Sequence, residues 1–460
     1  MNIVWFRRNL RLEDNLPLFK AIEQGADILP IFIFDVDILA NFPSPYDRRV
    51  CFIANALYDM HTKLLAHGGK MHIFYGKPQE IIANIVNKMG DCVSGIYIDE
   101  DFEPENIQRD KKVAQIAKTH AFCDHLLLKP GMVLNGSGQA FKVFTPFSKV
   151  FQNKIVELKV RQYDCELQNI KFCANQENLN AINFNCPQDI TQQIGYQYKP
   201  DILWDTTKAH STLESFVNNK IGEYKEQRDF MDQPGTSKLS PYIRFGLISI
   251  RECFLQSYEL PNSQTWINEL LWREFYANIL FHFPRTINEE FLSQYSVIPW
   301  KRDQALADCL ENSQTGFPII DAAMSQLKQD GWIHNRSRMI VASFASKNLL
   351  LDWRVGDKLF GKYLMDYDRS SNIGGWQWSA SCGTDAQPYF RIFNPFLQSM
   401  KFNPQGDYIK HYLPALSSVA AEHIHDGSMI NQIYPHLAYP KEIVDYKQTR
   451  QTALELFSLK

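Results

Sequence analysis

At 460 residues the chain is long enough for two to four domains, taking roughly 100–200 residues for each. Hydrophobic residues make up 45% and charged residues 22%, values of an ordinary globular chain that exclude collagen-like, coiled-coil and disordered classes. A net charge of −3 excludes a polybasic nucleic-acid binder, so any contact with nucleic acid has to be a local patch.

The longest apolar run, Ile28 to Phe34, is too short to span a bilayer. Arg7, Arg8 and Arg11 interrupt the first apolar residues and no long apolar region adjoins them, which predicts no secretory signal and a cytoplasmic location. The nine cysteines include no C-x-x-C pair, so reduced packing thiols are expected, with no disulfide framework, zinc knuckle or iron–sulfur site. Aromatic residues reach 13%, enough to call for a large aromatic core or a flat ligand that wants aromatic partners.

From residue 1 to about 130, short apolar runs alternate with amphipathic stretches. Ile3–Phe6, Ile28–Phe34, Met71–Tyr75 and Gly95–Asp99 read as strands, and Leu16–Gln24, Arg48–Gly68, Pro78–Gly90 and Asn106–Ala121 as helices. That alternation predicts an α/β domain with a doubly wound parallel sheet that binds at the carboxyl ends of its strands. Neither a dinucleotide fingerprint nor a P-loop is present, which counts against a nucleotide-activating enzyme. Residues 131–205 lose periodicity, with a Gly136-Ser137-Gly138 turn and an Asn/Gln-rich stretch, and read as an interdomain connector. From 206 to 460 helical periodicity dominates, in Leu213–Phe230, Trp266–Phe283, Pro318–Gln329, Asn335–Trp353 and Asp357–Leu364. A mostly α-helical second domain is expected.

Four clusters in that second part could carry chemistry. Gly235 to Pro241 is a polar run entering a helix, suited either to a phosphate on backbone amides or to an ordinary cap. In TWINELLWREFY, helical spacing puts Trp266, Glu269, Trp272, Arg273 and Tyr276 on one face, where a carboxyl between two indoles would hold its proton tightly and bond a flat heterocycle. The plainer reading is a Glu269–Arg273 pair on an amphipathic helix. Trp332, Asn335 and Met339 form a stripe in which a buried amide would need a partner, with His334, Arg336 and Arg338 beside it. Trp376 and Trp378, two apart on a helix, have to face opposite ways.

Together WFRRNLRLEDN, GTSKLSPYIRFG, ELLWREFY, GWIHNRSRMIVASF and DYDRSSNIGGWQWSASCGTDAQPYFRIFNP resemble the DNA photolyase and cryptochrome family, from residue 1 to about 410. The resemblance implies an antenna-type α/β domain followed by a helical domain holding FAD. It implies light-driven repair of DNA by an electron from excited, fully reduced flavin. On matching positions Tyr224, Thr236, Ser237, Lys238, Leu239 and Ser240 would hold the FAD phosphates. Asp366, paired with Arg338, and Asp368 would contact its ribose and polar edges, and Asn372 would stand opposite flavin N5. Glu269 would bond the thymines of a flipped-out dimer, with Trp272 and Trp378 as aromatic walls and Asn335 and Met339 completing the pocket. Arg336 and Arg391 would grip flanking phosphates, and Trp376, Trp353 and Trp300 would relay electrons from the surface.

Within the family, six-four photolyases carry paired histidines where Asn335 and Met339 stand, since that chemistry needs proton transfer. The single-strand-preferring cryptochrome branch usually shows Gln at the Met339 position. Signalling cryptochromes often replace the Asn372 amide and add a long tail, for which the 66 residues after Asn394 leave no room. The resemblance is closest to class I cyclobutane pyrimidine dimer photolyases, with UV-damaged DNA as partner, a monomeric state and no metal. For a second, antenna chromophore the stretch Phe102-Glu103-Pro104-Glu105-Asn106 departs in order from the folate-binding pattern, leaving a folate, a deazaflavin, a flavin or none.

Overall fold

The computed structural model describes residues 1–42, 44–173, 179–201 and 203–458. Five strands, β1 (Asn2–Phe6), β2 (Ile28–Asp35), β3 (His72–Gly76), β4 (Gly95–Asp99) and β5 (Thr119–Phe122), form one sheet in the order β3-β2-β1-β4-β5. All pairings are parallel, with Ile3 opposite Leu29 on one side and Ile96 on the other. Every residue of β1, β2 and β4 is buried, which is why these strands read as apolar runs: a parallel sheet is covered on both faces. The winding reverses between β1 and β4, so the ends of these strands open on the sheet's switch point.

Within the sheet domain one element departs from the sequence pattern. The helix expected over Asn106–Ala121 is Pro104–Ala114, and Thr119–Phe122 is the edge strand β5. No glycine or proline marks the stop, and a four-residue, half-covered edge strand has neither the length nor the apolar run of its neighbours.

The chain packs into two compact units. The first comprises Met1–Val133, Lys149–Asn219 and Ser237–Glu274, and the second Leu134–Ser148, Lys220–Thr236 and Phe275–Lys460. The stretch read as a connector contains helices Phe144–Leu158 and Pro187–Gln193. The helix expected over Leu213–Phe230 is divided, into Ala209–Asn219 and a short Tyr224–Gln227. Asn335–Trp353 is divided too: the helix Asn335–Ser343 widens into a π turn at Phe344–Asn348, and Leu350 takes a left-handed φ of 53°. A new helix, Trp353–Tyr363, then starts under an Asp352 cap whose carboxylate accepts from the Arg354 amide at 3.0 Å. No helix among the described residues is long and apolar enough to cross a membrane. Among the described residues there is no disulfide and no group of three potential metal ligands.

The first unit is tied together by a buried ionic network. Asp124, fully buried after β5, accepts from Arg11 at 2.6 Å and from Arg251 at 2.7 Å. Arg251 also bonds the Asp14 carboxylate at 2.9 Å, and the Tyr163 amide donates to the same oxygen at 2.9 Å. Arg11 reaches the Gly246 carbonyl at 3.1 Å. One cluster therefore joins all three chain segments of the unit. Burial alone would raise the Asp124 pKa, but Arg11 and Arg251 hold it below the usual carboxylate range. Its stabilisation is present above the unfolded-state carboxyl pKa and is lost as pH falls through the depressed folded value. Arg251→Met leaves Asp124 and Asp14 short of a cation in a buried place, and the expected loss in denaturant unfolding is about 3–5 kcal/mol.

Candidate functional site

In the first unit, the turn ahead of helix Ser240–Phe245 carries the polar run that resembles a phosphate holder. Leu239 occupies the N-cap and offers no side-chain oxygen, so the serine and threonine here are not an ordinary cap. Ser237 Oγ instead takes the Leu239 amide at 3.4 Å, and Lys238 is exposed with φ 53°. A lysine in the left-handed region costs about 1–3 kcal/mol, and such outliers concentrate where a ligand needs a particular backbone. Gly246 ends that helix at φ 71°, and a Cβ there would lie 2.0 Å from the Arg8 carbonyl oxygen. Only glycine lets the turn seat against the loop after β1.

Helix Gln264–His282 carries Glu269 and Trp272, both half-buried. Trp266 is buried, its ring 5.2 Å from that of Phe216. The helix is fixed by its other residues. Arg273 donates to the His125 carbonyl at 2.6 Å, and the buried Glu274 accepts from the Leu127 amide at 2.9 Å. Burial lifts the Glu274 pKa to about 7.

In the second unit, Arg338 Nη2 bonds both carboxylate oxygens of Asp366, at 3.0 and 2.7 Å, and its Nε donates to the Ile333 carbonyl at 3.0 Å. Asp368 caps helix Arg369–Ser379 by accepting from the Ser371 amide at 3.0 Å. Asn372, four residues on, donates its amide nitrogen to the Asp357 carboxylate at 2.7 Å and the Asp357 carbonyl at 3.2 Å. With both bonds taken by the NH2 group, the amide oxygen is the atom turned elsewhere, ready to accept. Burial raises the pKa of Asp357. Gly375, one turn from Asn372, has nothing within 4 Å of where a Cβ would be, so this helix face is flat and open beside the amide. Tyr224 is buried at the start of its short helix, with the Arg228 guanidinium 5.5 Å from its ring centroid, and Thr236 is half-buried.

The two indoles of Gly374-Gly375-Trp376-Gln377-Trp378 do face apart: Trp376 is 2% exposed and Trp378 partly exposed. Trp376 rests edge-on against Phe360, centroids 4.9 Å apart, over Gly356, where a Cβ would lie 2.2 Å from the ring. Its Nε1 is buried without a hydrogen-bond partner among the described residues. Trp353, fully buried, and the half-buried Trp300 both donate to Oε1 of Glu290, at 3.2 and 3.1 Å.

On helix Asn335–Ser343, Asn335 donates to Met339 Sδ at 3.7 Å. Asn335 is exposed, so it needs no buried partner, and Trp332 lies before the helix, edge-on to His334. His334 caps the helix as a neutral imidazole, its Nδ1 accepting from the Arg336 amide at 3.1 Å. Burial holds its pKa down at about 4, which keeps that acceptor available. Of the two arginines expected at phosphates, Arg391 is exposed, whereas Arg336 is paired with Asp229 at 2.7 Å and stacked 4.4 Å from the Phe402 centroid. Lys347, fully buried in the π turn, donates to the Arg391 carbonyl at 3.1 Å. Burial lowers its pKa to about 7.

The sheet's switch point is polar and charged. Arg7 and Arg109 lie 4.6 and 5.3 Å from the Trp5 ring centroid, and both bond Asp110, at 2.7 and 3.0 Å. Burial would raise the Asp101 pKa, but Arg8 and its neighbours hold it low. Trp5 Nε1, Arg7 Nε and Arg109 Nη2 are buried donors with no partner among the described residues. Sequence reasoning missed this cluster together with Asp357, Lys347 and Glu290. Only the Arg7-Arg8 pair directly after a strand signalled it.

Comparison with known proteins agrees with this geometry. Residues 2–162 match the family described as DNA photolyase, and residues 266–459 match the FAD binding domain of DNA photolyase. The chain is 34% identical to a deoxyribodipyrimidine photo-lyase of Synechococcus sp., over 99% of this chain and 96% of the relative. It is similar to a solved bacterial class III photolyase from Agrobacterium tumefaciens, with TM-score 0.85, 29% identity and coverage of 100% of this chain and 97% of that one. A solved cryptochrome from Synechocystis sp. superimposes with TM-score 0.86 at 25% identity, covering 99% of each chain. A five-stranded parallel sheet domain, a helical FAD-binding domain and full-length relatives at this identity make the chain a member of the DNA photolyase family.

Proposed function

We propose that this protein repairs cyclobutane pyrimidine dimers in UV-damaged DNA with light, in the manner of the class I enzymes its motifs resemble. The observation that carries the reading is the Asn335–Met339 pair, an amide against a thioether at 3.7 Å. Neither side chain can transfer a proton at neutral pH, so the pair suits a dimer that needs only an electron and not a six-four product that needs an acid. When bound and fully reduced, FAD supplies the electron that opens the cyclobutane ring and takes it back.

The protein's own residues bind and orient. Tyr224 and Thr236 to Ser240 would take the phosphates, supported by a turn that has no side-chain cap and a strained Lys238. Arg338, Asp366 and Asp368 would take the ribose and the polar edges. Asn372, its NH2 group engaged by Asp357, has its oxygen available for the N5–H of reduced flavin, and Gly375 leaves flat space beside it. Glu269 would bond the thymines, Trp272 and Trp378 would wall the lesion, and Arg391 would hold a flanking phosphate, with Arg336 reaching one only by leaving Asp229. A second, light-gathering chromophore, whether folate, deazaflavin or flavin, would find three unpartnered donors, Trp5 Nε1, Arg7 Nε and Arg109 Nη2, at the switch point.

A second reading, a flavin light sensor that repairs nothing, draws support from the likeness to the Synechocystis cryptochrome over 99% of the chain. Glu269, Trp272 and Met339 have no task in such a sensor. Chemically reduced protein under near-ultraviolet light is expected to restore thymines in an oligonucleotide with a cyclobutane dimer and to leave a six-four product untouched. Repair of neither, with flavin bound, moves the protein to the sensor reading. Glu269→Ala is expected to retain flavin and to lower repair per photon, through a dimer held about 1.5–3 kcal/mol more weakly, and flavin loss counts against the assignment. Trp376→Phe is expected to slow photoreduction of oxidised flavin, and a rate equal to wild type removes Trp376 from the relay.

A further inference from the structure

Three indoles occupy the positions of the proposed relay, and they differ sharply in what meets their N–H groups. Trp376 Nε1 is buried and unpartnered, whereas Trp353 and Trp300 both donate to one atom, Glu290 Oε1. Glu290 itself is 5% exposed. Its backbone is clamped from Gln377, the residue after Trp376. Gln377 Nε2 donates to the Thr286 and Glu289 carbonyls at 3.0 and 2.9 Å, and its Oε1 accepts from the Phe291 amide at 2.9 Å. Trp300 and Trp353 are also held in register, since Lys301 and Leu351 form a parallel bridge, closed by Lys301 N to Leu350 O and Asp352 N to Lys301 O.

Charge completes the arrangement. The Arg354 guanidinium lies 4.4 Å from the Trp353 ring centroid, where a cation makes it harder to remove an electron from that ring. The same guanidinium bonds Glu290 Oε1 at 3.1 Å and Asp352 at 3.0 Å, so two carboxylates offset it. Trp300 shares the Glu290 carboxylate and has no cation over its ring among the described residues. An indole that has lost an electron is a cation, and a fixed carboxylate on its N–H favours that state in a place with little water.

We propose that Glu290 is a positioning residue of the electron relay, one carboxylate that aligns Trp353 and Trp300 and makes both easier to oxidise than Trp376. The proposal rests on the relay reading above. In the step concerned an indole gives one electron to a one-electron oxidant, photoexcited oxidised flavin in the relay or a supplied radical in the test. No bond is made or broken, and the proton stays on Nε1 in its bond to Glu290. A positive charge formed at Trp376 is then drawn outward to Trp353 and Trp300, which slows its return.

The test uses Glu290→Gln, which keeps an acceptor for both N–H groups and removes the charge, and Glu290→Asp, which keeps the charge. Flavin content and thermal unfolding check that each variant is folded. The indole radical is followed by transient absorption in the holoprotein, after a flash on oxidised flavin and, separately, after pulse-generated azidyl radicals in the dark. The radical in Glu290→Gln is expected to decay about tenfold faster than wild type by both routes, with Glu290→Asp recovering most of the lifetime. A lifetime unchanged in Glu290→Gln by both routes overturns the role of Glu290. Trp300→Phe and Trp353→Phe separate the two ideas: if either leaves the flash signal intact the relay reading itself fails. The azidyl arm then decides Glu290 alone, equal decay in Glu290→Gln and wild type overturning it.

Discussion

The buried meeting of Arg11, Arg251, Asp14 and Asp124 is the constraint on which the first unit depends. A parallel sheet binds at its strand ends, and those ends are loops that need fixing from outside the sheet. Here the fixing is ionic. Asp124 stands two residues past β5 and Arg11 lies in the loop after β1, while Arg251 is 240 positions further along the chain. Charges this deeply buried are tolerable only when paired, and each carboxylate has two or more donors, those of Asp14 both on Oδ1. The consequence is local to function: the segment Ser237–Glu274, which carries the polar turn and Glu269, is held to the sheet by side chains that touch neither.

The second unit uses a similar device, with side-chain amides beside charged groups. Gln377, between Trp376 and Trp378 in the chain, is buried, and its side chain makes three bonds to the backbone of residues 286–291. Asn372 is turned by Asp357, and Arg338 is set by Ile333 before it meets Asp366. Gln377 and Asn372 are buried, and each has one orientation because its alternatives would strand a donor or an acceptor. Gly356 adds a steric term, since only a missing Cβ lets Trp376 lie on helix Trp353–Tyr363.

What was legible in the sequence follows from these causes. Strands β1, β2 and β4 announce themselves as apolar runs because both faces are covered, whereas β5 hides inside a helical pattern. Trp376 and Trp378 facing apart is helix geometry, and spacing alone gives it. The Arg338–Asp366 pair came with the resemblance and is present at 2.7 Å. That Trp266 packs on Phe216 was not legible, because periodicity does not say which neighbour a tryptophan meets. The partners of Arg336 were hidden for another reason: nothing near it in sequence says that Asp229 and Phe402 will meet it. Glu290, Asp357 and Lys347 were invisible because each acts on a residue from a separate stretch of chain, and a lone carboxylate or lysine carries no pattern.

The arginines bear on how a chain of net charge −3 can hold a polyanion. A side chain available to a phosphate has to be exposed and unspent, and that condition separates Arg391 from Arg336. Arg336 gives up a salt bridge and a ring contact if it turns outward, so its net gain from a phosphate is small. Arg391 stands exposed on a loop whose carbonyl is held by Lys347, a buried amine whose pKa burial brings to about 7. Charging that amine in an apolar place is costly, and its bond to the Arg391 carbonyl is the compensation on hand. Under the proposed function, attraction to DNA would come from where such groups stand and not from the sum of charges.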